Sequence, residues 1–180
     1  FSLINQTMDE LILDIKEVLS LDVNHISYYS LILEEKSTLY HLYNMDKISI
    51  NDDDLEALMY NKVIDSLEHA GFHQYEISNF SKGDFESRHN KIYWTNLDYL
   101  GLGSGSHSLY NNERHYNVAS VKNYYEAIEN NLSYQTSYER NGLEEELMMG
   151  LRLLKGIDVL EVNKQYSVDI FKKYDKLHYF

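Results

Sequence analysis

Helical and extended periods alternate along this chain up to about Asn130 and then give way to helix alone, an order that few architectures accommodate. Thr7-Met8-Asp9-Glu10 is a capping box, in which Thr7 accepts from an amide of the first turn and Glu10 reaches back. Leu11, Ile12, Ile15, Val18 and Leu19 then recur at helical spacing, which predicts a helix over residues 7–20. Residues 25–33 are nearly continuous in apolar character and rich in β-branched and aromatic side chains. They suit a strand covered on both faces, as in a parallel sheet. A short irregular or helical stretch is expected at 38–45.

Asn51-Asp52-Asp53-Asp54 opens a second long helix, with Leu55, Leu58, Met59, Val63, Ile64 and Leu67 on its buried side and Gly71 at its end. The aspartates complement the positive end of the helix dipole. They do not make a calcium loop, which needs a glycine and a distal glutamate that are missing here. Residues 72–80 read as one strand, 81–87 as a polar loop, 88–94 as helical turns and 98–102 as a short strand. A tight glycine turn follows at 101–106, then a hairpin over 108–116 around Asn111-Asn112, and a helix over 120–130. Residues 131–140 are polar and aperiodic. From Leu143 the pattern is helical, with Leu147, Met148, Leu151 and Leu154 on one face and Gly156 as the stop; two short helices are expected at 158–166 and 168–174. The expectation is an α/β portion over 1–132, followed by a small helical module over 133–180.

Hydrophobic residues make up 43% of the 180, enough for a real core, and charged residues 25%. The net charge of −13 repels phosphate, which argues against nucleic-acid binding through a basic stripe. There is no cysteine, so disulfides, thiolate zinc sites and cysteine-held iron–sulfur clusters are excluded within this chain. That fits a cytoplasmic protein. No apolar run approaches the roughly 20 residues of a membrane span. The chain opens on Phe1 rather than methionine, which reads as a piece of a longer protein.

Three segments carry polar, aromatic and glycine residues at a density that no plain core requires. They are Gln74-Tyr75-Glu76-Ile77-Ser78-Asn79-Phe80, Ser87-Arg88-His89-Asn90-Lys91-Ile92-Tyr93-Trp94, and Tyr99-Leu100-Gly101-Leu102-Gly103-Ser104-Gly105-Ser106-His107-Ser108. His89 and Tyr93 are four apart and face the same way on a helical turn. Imidazole and phenolate are both iron ligands. Tyr99 and Trp94 could cover a porphyrin face, and Arg88 or Lys91 could meet a propionate. The alternative is a structural turn in which His89 and Asn90 satisfy loop amides and Tyr93 packs. The glycine run is not the dinucleotide fingerprint. His69 and His73 lack further nearby zinc ligands, and Glu144-Glu145-Glu146 reads as a solvated helix start. Nucleophilic catalysis finds no support, since no Gly-x-Ser-x-Gly frame is present.

In this order the three segments resemble the heme-chaperone (HemW-type) branch of the oxygen-independent coproporphyrinogen III oxidase-like radical-SAM family. Phe1-Ser2-Leu3-Ile4-Asn5-Gln6-Thr7 is similar to that family's strand-to-helix segment, with Ile4 where a proline is usual. The resemblance implies the later part of a radical-SAM partial TIM-type barrel and the start of the family's small helical C-terminal domain. It also implies S-adenosylmethionine, heme, and a [4Fe–4S] cluster held by a Cys-x3-Cys-x2-Cys loop that this chain does not contain. His89, Asn90 and Tyr93 match the family's His-Asn-x-x-Tyr heme motif, with His89 a candidate iron ligand. Gly103, Gly105, Ser106 and His107 become candidates for lining the S-adenosylmethionine site at a strand end. The function implied is heme binding and transfer to an acceptor protein. Two alternatives stay open: oxidative decarboxylation of coproporphyrinogen III to protoporphyrinogen IX, and a non-catalytic α/β interaction module. With no thiolate for the cluster, this chain alone is expected to do no radical chemistry.

Overall fold

A computed structural model describes residues 1–140 and 142–174. Its backbone contacts separate two compact units, Phe1–Glu86 and Ser87–Phe180. The division falls upstream of the change in sequence character at 133–142.

The first unit contains α1 (Met8–Ser20), β1 (His25–Ser27), α2 (Thr38–Asn44), α3 (Asp53–His69), β2 (His73–Glu76) and β3 (Asn79–Ser81). The capping box forms as read: Thr7 accepts from the Glu10 amide, and the Thr7 amide donates to Glu10 Oε2 at 2.8 Å. Asp52 caps α3 by accepting from Leu55 N at 2.8 Å, so the aspartate run serves the helix start. Leu11 and Ile15 of α1 pack with Met59, Val63 and Leu67 of α3 and with Ile26, Phe72 and Phe80. Leu58, expected on the buried side, is exposed. The buried stripe runs through 59, 63 and 67, and a neighbour in sequence points about 100° away from it.

Two strand expectations change. The run at 25–33 is strand only over His25–Ser27; beyond it, Tyr28 N donates to Ser78 O and Leu31 N to Phe1 O. Residues 72–80 are a hairpin rather than one strand, turning at Ile77 and Ser78. The sheet order is β1-β3-β2, with both pairings antiparallel. The parallel pairing expected for 25–33 is not among the described pairings. The Gln74–Phe80 segment serves this hairpin from inside. Glu76 and Asn79 are fully buried, and Asn79 Nδ2 donates to Glu76 Oε1 and, at 3.3 Å, to the Tyr29 hydroxyl. The Ser27 hydroxyl donates to Asn79 Oδ1 at 2.5 Å. A buried carboxylate and amide are tolerated only with such partners.

The second unit contains α4 (Arg88–Trp94), β4 (His107–Tyr110), β5 (Glu113–Asn117), α5 (Val121–Glu129), β6 (Gln135–Glu139), α6 (Gly142–Gly150), α7 (Val159–Tyr166) and α8 (Ile170–Lys173). The expected hairpin is β4–β5, turning through Asn111 and Asn112 with φ 52° and 61°. β6 pairs antiparallel with β5 from Glu113↔Glu139 to Asn117↔Gln135. The segment is aperiodic in sequence because every residue of β6 is exposed, so no alternation marks it. Residues 98–102 reduce to one bridge, Tyr99↔Leu109. α6 ends at Gly150, where a Cβ would overlap the Ile157 side chain, and so stops short of Gly156. Met148, Leu151 and Leu154 are exposed, while Leu143, Val162 and Ile170 form the helical core. Among the described residues, no helix is long and apolar enough to cross a membrane.

Candidate functional site

Ser87 caps α4 by accepting from Asn90 N at 3.2 Å, which fixes the first turn and places His89 and Tyr93 on one face. His89 Nε2 and the Tyr93 hydroxyl are hydrogen-bonded at 3.0 Å, with the two rings edge to face at 4.9 Å. The tautomer decides which of them donates. His89 is exposed, and Asn90 and Tyr93 are half-buried. Tyr93 meets Tyr99 edge-on, ring centroids 4.6 Å apart. Leu97, Leu100 and Leu102 flank Tyr99 in sequence and project into solvent, Leu102 with 90% of its surface exposed.

Tyr99 is held from behind. Arg114 Nη1 donates to its hydroxyl at 2.7 Å, and its backbone pairs with Leu109 in both directions. Burial raises the Tyr99 phenol above its ordinary value, and the Arg114 charge opposes that rise. One face of the Trp94 ring is taken by the Arg152 guanidinium, 4.3 Å from the ring centroid.

The glycine turn is anchored by its own neighbours. Asn117 Nδ2 donates to Gly103 O and to Ser106 Oγ, both at 2.9 Å, and the Ser106 hydroxyl donates to Gly103 O at 2.8 Å. Gly103 and Gly105 have φ of 94° and 68°, a region that favours glycine. A Cβ at Gly101 would collide with the backbone carbonyl of His107, so the close approach there is made by the chain itself. His107 is exposed, stacks on Tyr116 at 5.9 Å, and lines a groove of about 380 Å³ with Tyr99, Arg114, Tyr138, Met148 and Met149. Gly105 and His107 line a second groove, of about 400 Å³, along β5 and β6. Ser106 and Gly103 contribute to the turn's internal bonding.

The acidic start of α6 departs from its reading as a solvated helix end. Glu145 is 8% exposed and accepts from Arg114 Nε at 2.8 Å and from Nη2. Arg140 lies between Glu145, at 3.7 Å, and Glu146, at 2.5 Å. Glu146 also accepts from Asn96 Nδ2 at 3.3 Å. Asn96, Tyr99, Arg114, Glu145 and Glu146 are not legible as a group in sequence, since their contacts span up to 50 residues.

The residues present fit a heme group in kind. An exposed imidazole and a phenol share one helical face, beside exposed leucines and the exposed Arg88. They do not fit an iron–sulfur cluster, since no thiolate exists here. Among the described residues, no group of three His, Asp or Glu side chains converges as a metal site. His69 Nδ1 instead meets Asp65 O at 2.6 Å, and His73 meets Glu86 at 3.1 Å.

Residues 139–180 match the HemN C-terminal domain. The chain is 39% identical over 171 residues to the heme chaperone HemW of Bacillus subtilis, covering 93% of this chain and 45% of that protein. It is 31% identical over 176 residues to HemW of Lactococcus lactis, covering 97% and 46%. The chain belongs to the HemW/HemN-like radical-SAM family. It spans just under half the length of these curated relatives. Its fold matches that of Escherichia coli HemN, a coproporphyrinogen III oxidase and radical-SAM enzyme, with a TM-score of 0.71 at 15% identity, covering 97% of this chain and 43% of that one. The mixed helix-and-sheet architecture is therefore that of the C-terminal region of the HemN fold. The antiparallel sheets described above are this chain's share of it.

Proposed function

We propose that this chain supplies the heme-binding face of a HemW-type heme chaperone, which passes heme to an acceptor protein in the cytoplasm. The observation that carries the reading is the exposed His89–Tyr93 pair on α4, set beside the leucine-rich segment 97–102. Relatives named heme chaperones at 31–39% identity support it. Heme, when bound, would supply an iron that accepts an imidazole or a phenolate as a ligand. His89 offers Nε2 once its bond to the Tyr93 hydroxyl opens, and Tyr93 offers the phenol itself. Arg88 is placed to meet a propionate. Leu100 and Leu102 supply apolar surface, and burying each contributes about 1.5–3 kcal/mol. Asn90, between the two ligand candidates, completes the motif. Within the same reading, Gly103, Gly105, Ser106 and His107 line the S-adenosylmethionine site, and residues 133–180 begin the helical C-terminal domain. The [4Fe–4S] cluster would be held by cysteines outside this sequence. The oxidase reading rests on fold likeness alone.

The test is titration of hemin into the chain, followed in the Soret band. We expect stoichiometric uptake, with His89→Ala weakening it by about tenfold, or roughly 1.4 kcal/mol, and shifting the band. If His89→Ala bound hemin with unchanged affinity and spectrum, the reading would be wrong.

A further inference from the structure

The face that presents His89 and Tyr93 is held by the first helix of the C-terminal domain. Segment 96–99 leaves the end of α4 and carries Tyr99 against Tyr93. α6 grips this segment at both ends through consecutive carboxylates. At the near end, Glu146 accepts from Asn96 Nδ2 at 3.3 Å, and the Asn96 backbone, at φ 49°, donates back to Tyr93 O at 3.2 Å. At the far end, Glu145 binds Arg114, whose third nitrogen, Nη1, donates to the Tyr99 hydroxyl at 2.7 Å. Arg140 joins the two carboxylates.

Side chains this buried have few other places to go. Those of Arg114 and Glu145 are 12% and 10% exposed, and that of Arg140 is 8% exposed. A planar guanidinium committed to one carboxylate through two of its nitrogens has a fixed direction for the third. That direction sets where the Tyr99 ring lies. Tyr99 in turn limits the rotation of Tyr93, and the Tyr93 hydroxyl holds the His89 ring.

We propose that Glu145, Arg114 and Tyr99 are positioning residues for the His89–Tyr93 pair, so that α6 of the C-terminal domain sets the geometry of the candidate heme ligands. This rests on the heme reading for its purpose, but the positioning itself is a property of the protein without ligand. Outer-shell partners of a metal-binding histidine have effects of this kind elsewhere.

Two variants test it. Tyr99→Phe keeps the ring contact with Tyr93 and removes the Arg114 bond. Glu145→Gln keeps shape and removes the charge. The first readout is the NMR signals of the His89 and Tyr93 rings in the 180-residue chain without ligand. The second is hemin titration. Both variants should move the ring signals, lower hemin affinity by about tenfold and shift the Soret band. Either variant folding normally with ring signals unmoved would overturn the proposal. Should Glu145→Gln fail to fold, Tyr99→Phe decides alone. If wild-type hemin uptake proves indifferent to His89→Ala, the heme reading falls, and the ring signals still decide whether α6 positions His89.

Discussion

Arg114 and Glu145 form a nearly buried ion pair, with Arg114 Nε and Nη2 both directed at one carboxylate oxygen. Removing Glu145 leaves the guanidinium desolvated and uncompensated, with Arg140 losing one of its two carboxylate neighbours. Glu145→Ala should lower stability by about 3–5 kcal/mol in urea denaturation. Replacing both partners with apolar residues, as in Arg114→Met with Glu145→Leu, should recover most of that loss, because no unpaired charge remains. A double variant no more stable than Glu145→Ala would show that this pair is not what the single variant lost.

The β4–β5 turn sets its own requirement. Asn111 and Asn112 both have positive φ, at 52° and 61°, which is the two-residue arrangement that matches strand twist. Asparagine tolerates this region and glycine prefers it. Asn112→Gly should therefore raise stability by about 0.5 kcal/mol and leave the Ser108↔His115 register intact, read as a higher Tm with unchanged cross-strand nuclear Overhauser contacts. A drop in Tm would mean that the Asn112 side chain contributes more than its backbone costs.

What could be read ahead follows from range. Caps are local, and Thr7, Asp52, Ser87 and Asp158 each begin the helix that the sequence placed there. The Asn111-Asn112 turn is local too. The hairpin inside 72–80 was hidden because Ile77 and Ser78 carry no turn glycine and Asn79, Phe80 and Ser81 are all buried, so apolar and polar positions do not alternate. β6 was hidden for the opposite reason, being exposed along its whole length. His89 and Tyr93 could be paired from their spacing alone. The support behind them could not, because Glu145 reaches Arg114 across 31 residues and looks in sequence like any acidic first turn.

Two glycines of the 101–106 turn answer to different constraints. At Gly101 an added Cβ meets the His107 carbonyl, a backbone group that cannot swing away. At Gly103 nothing lies within 4 Å, but φ is 94°. Gly101→Ala should displace the Tyr99↔Leu109 bridge and cost more than Gly103→Ala, whose penalty is backbone strain of about 1–3 kcal/mol. Thermal melts of the two variants rank the effects. The reverse order would mean that the turn relaxes at 101 and is stiff at 103.

Glu144 sits at the start of α6 with its Oε1 accepting from Lys173 Nζ at 2.7 Å and from the Tyr174 hydroxyl at 3.0 Å. The Lys173 bond first, then a backbone amide and the Tyr174 hydroxyl, hold its carboxyl down to about 2. A carboxyl depressed on folding is protonated more readily in the unfolded chain. Its contribution is therefore present above the ordinary glutamate range and is lost as pH falls toward about 2. Carbon-13 titration of the Glu144 carboxyl should show a midpoint near that value, and Lys173→Met should raise it toward the ordinary glutamate range. The stability difference between wild type and Glu144→Gln should shrink on acidification across the same window. A midpoint that ignores Lys173→Met would mean that the Lys173–Glu144 contact is not formed in solution, and that α8 is not tied to α6 through it.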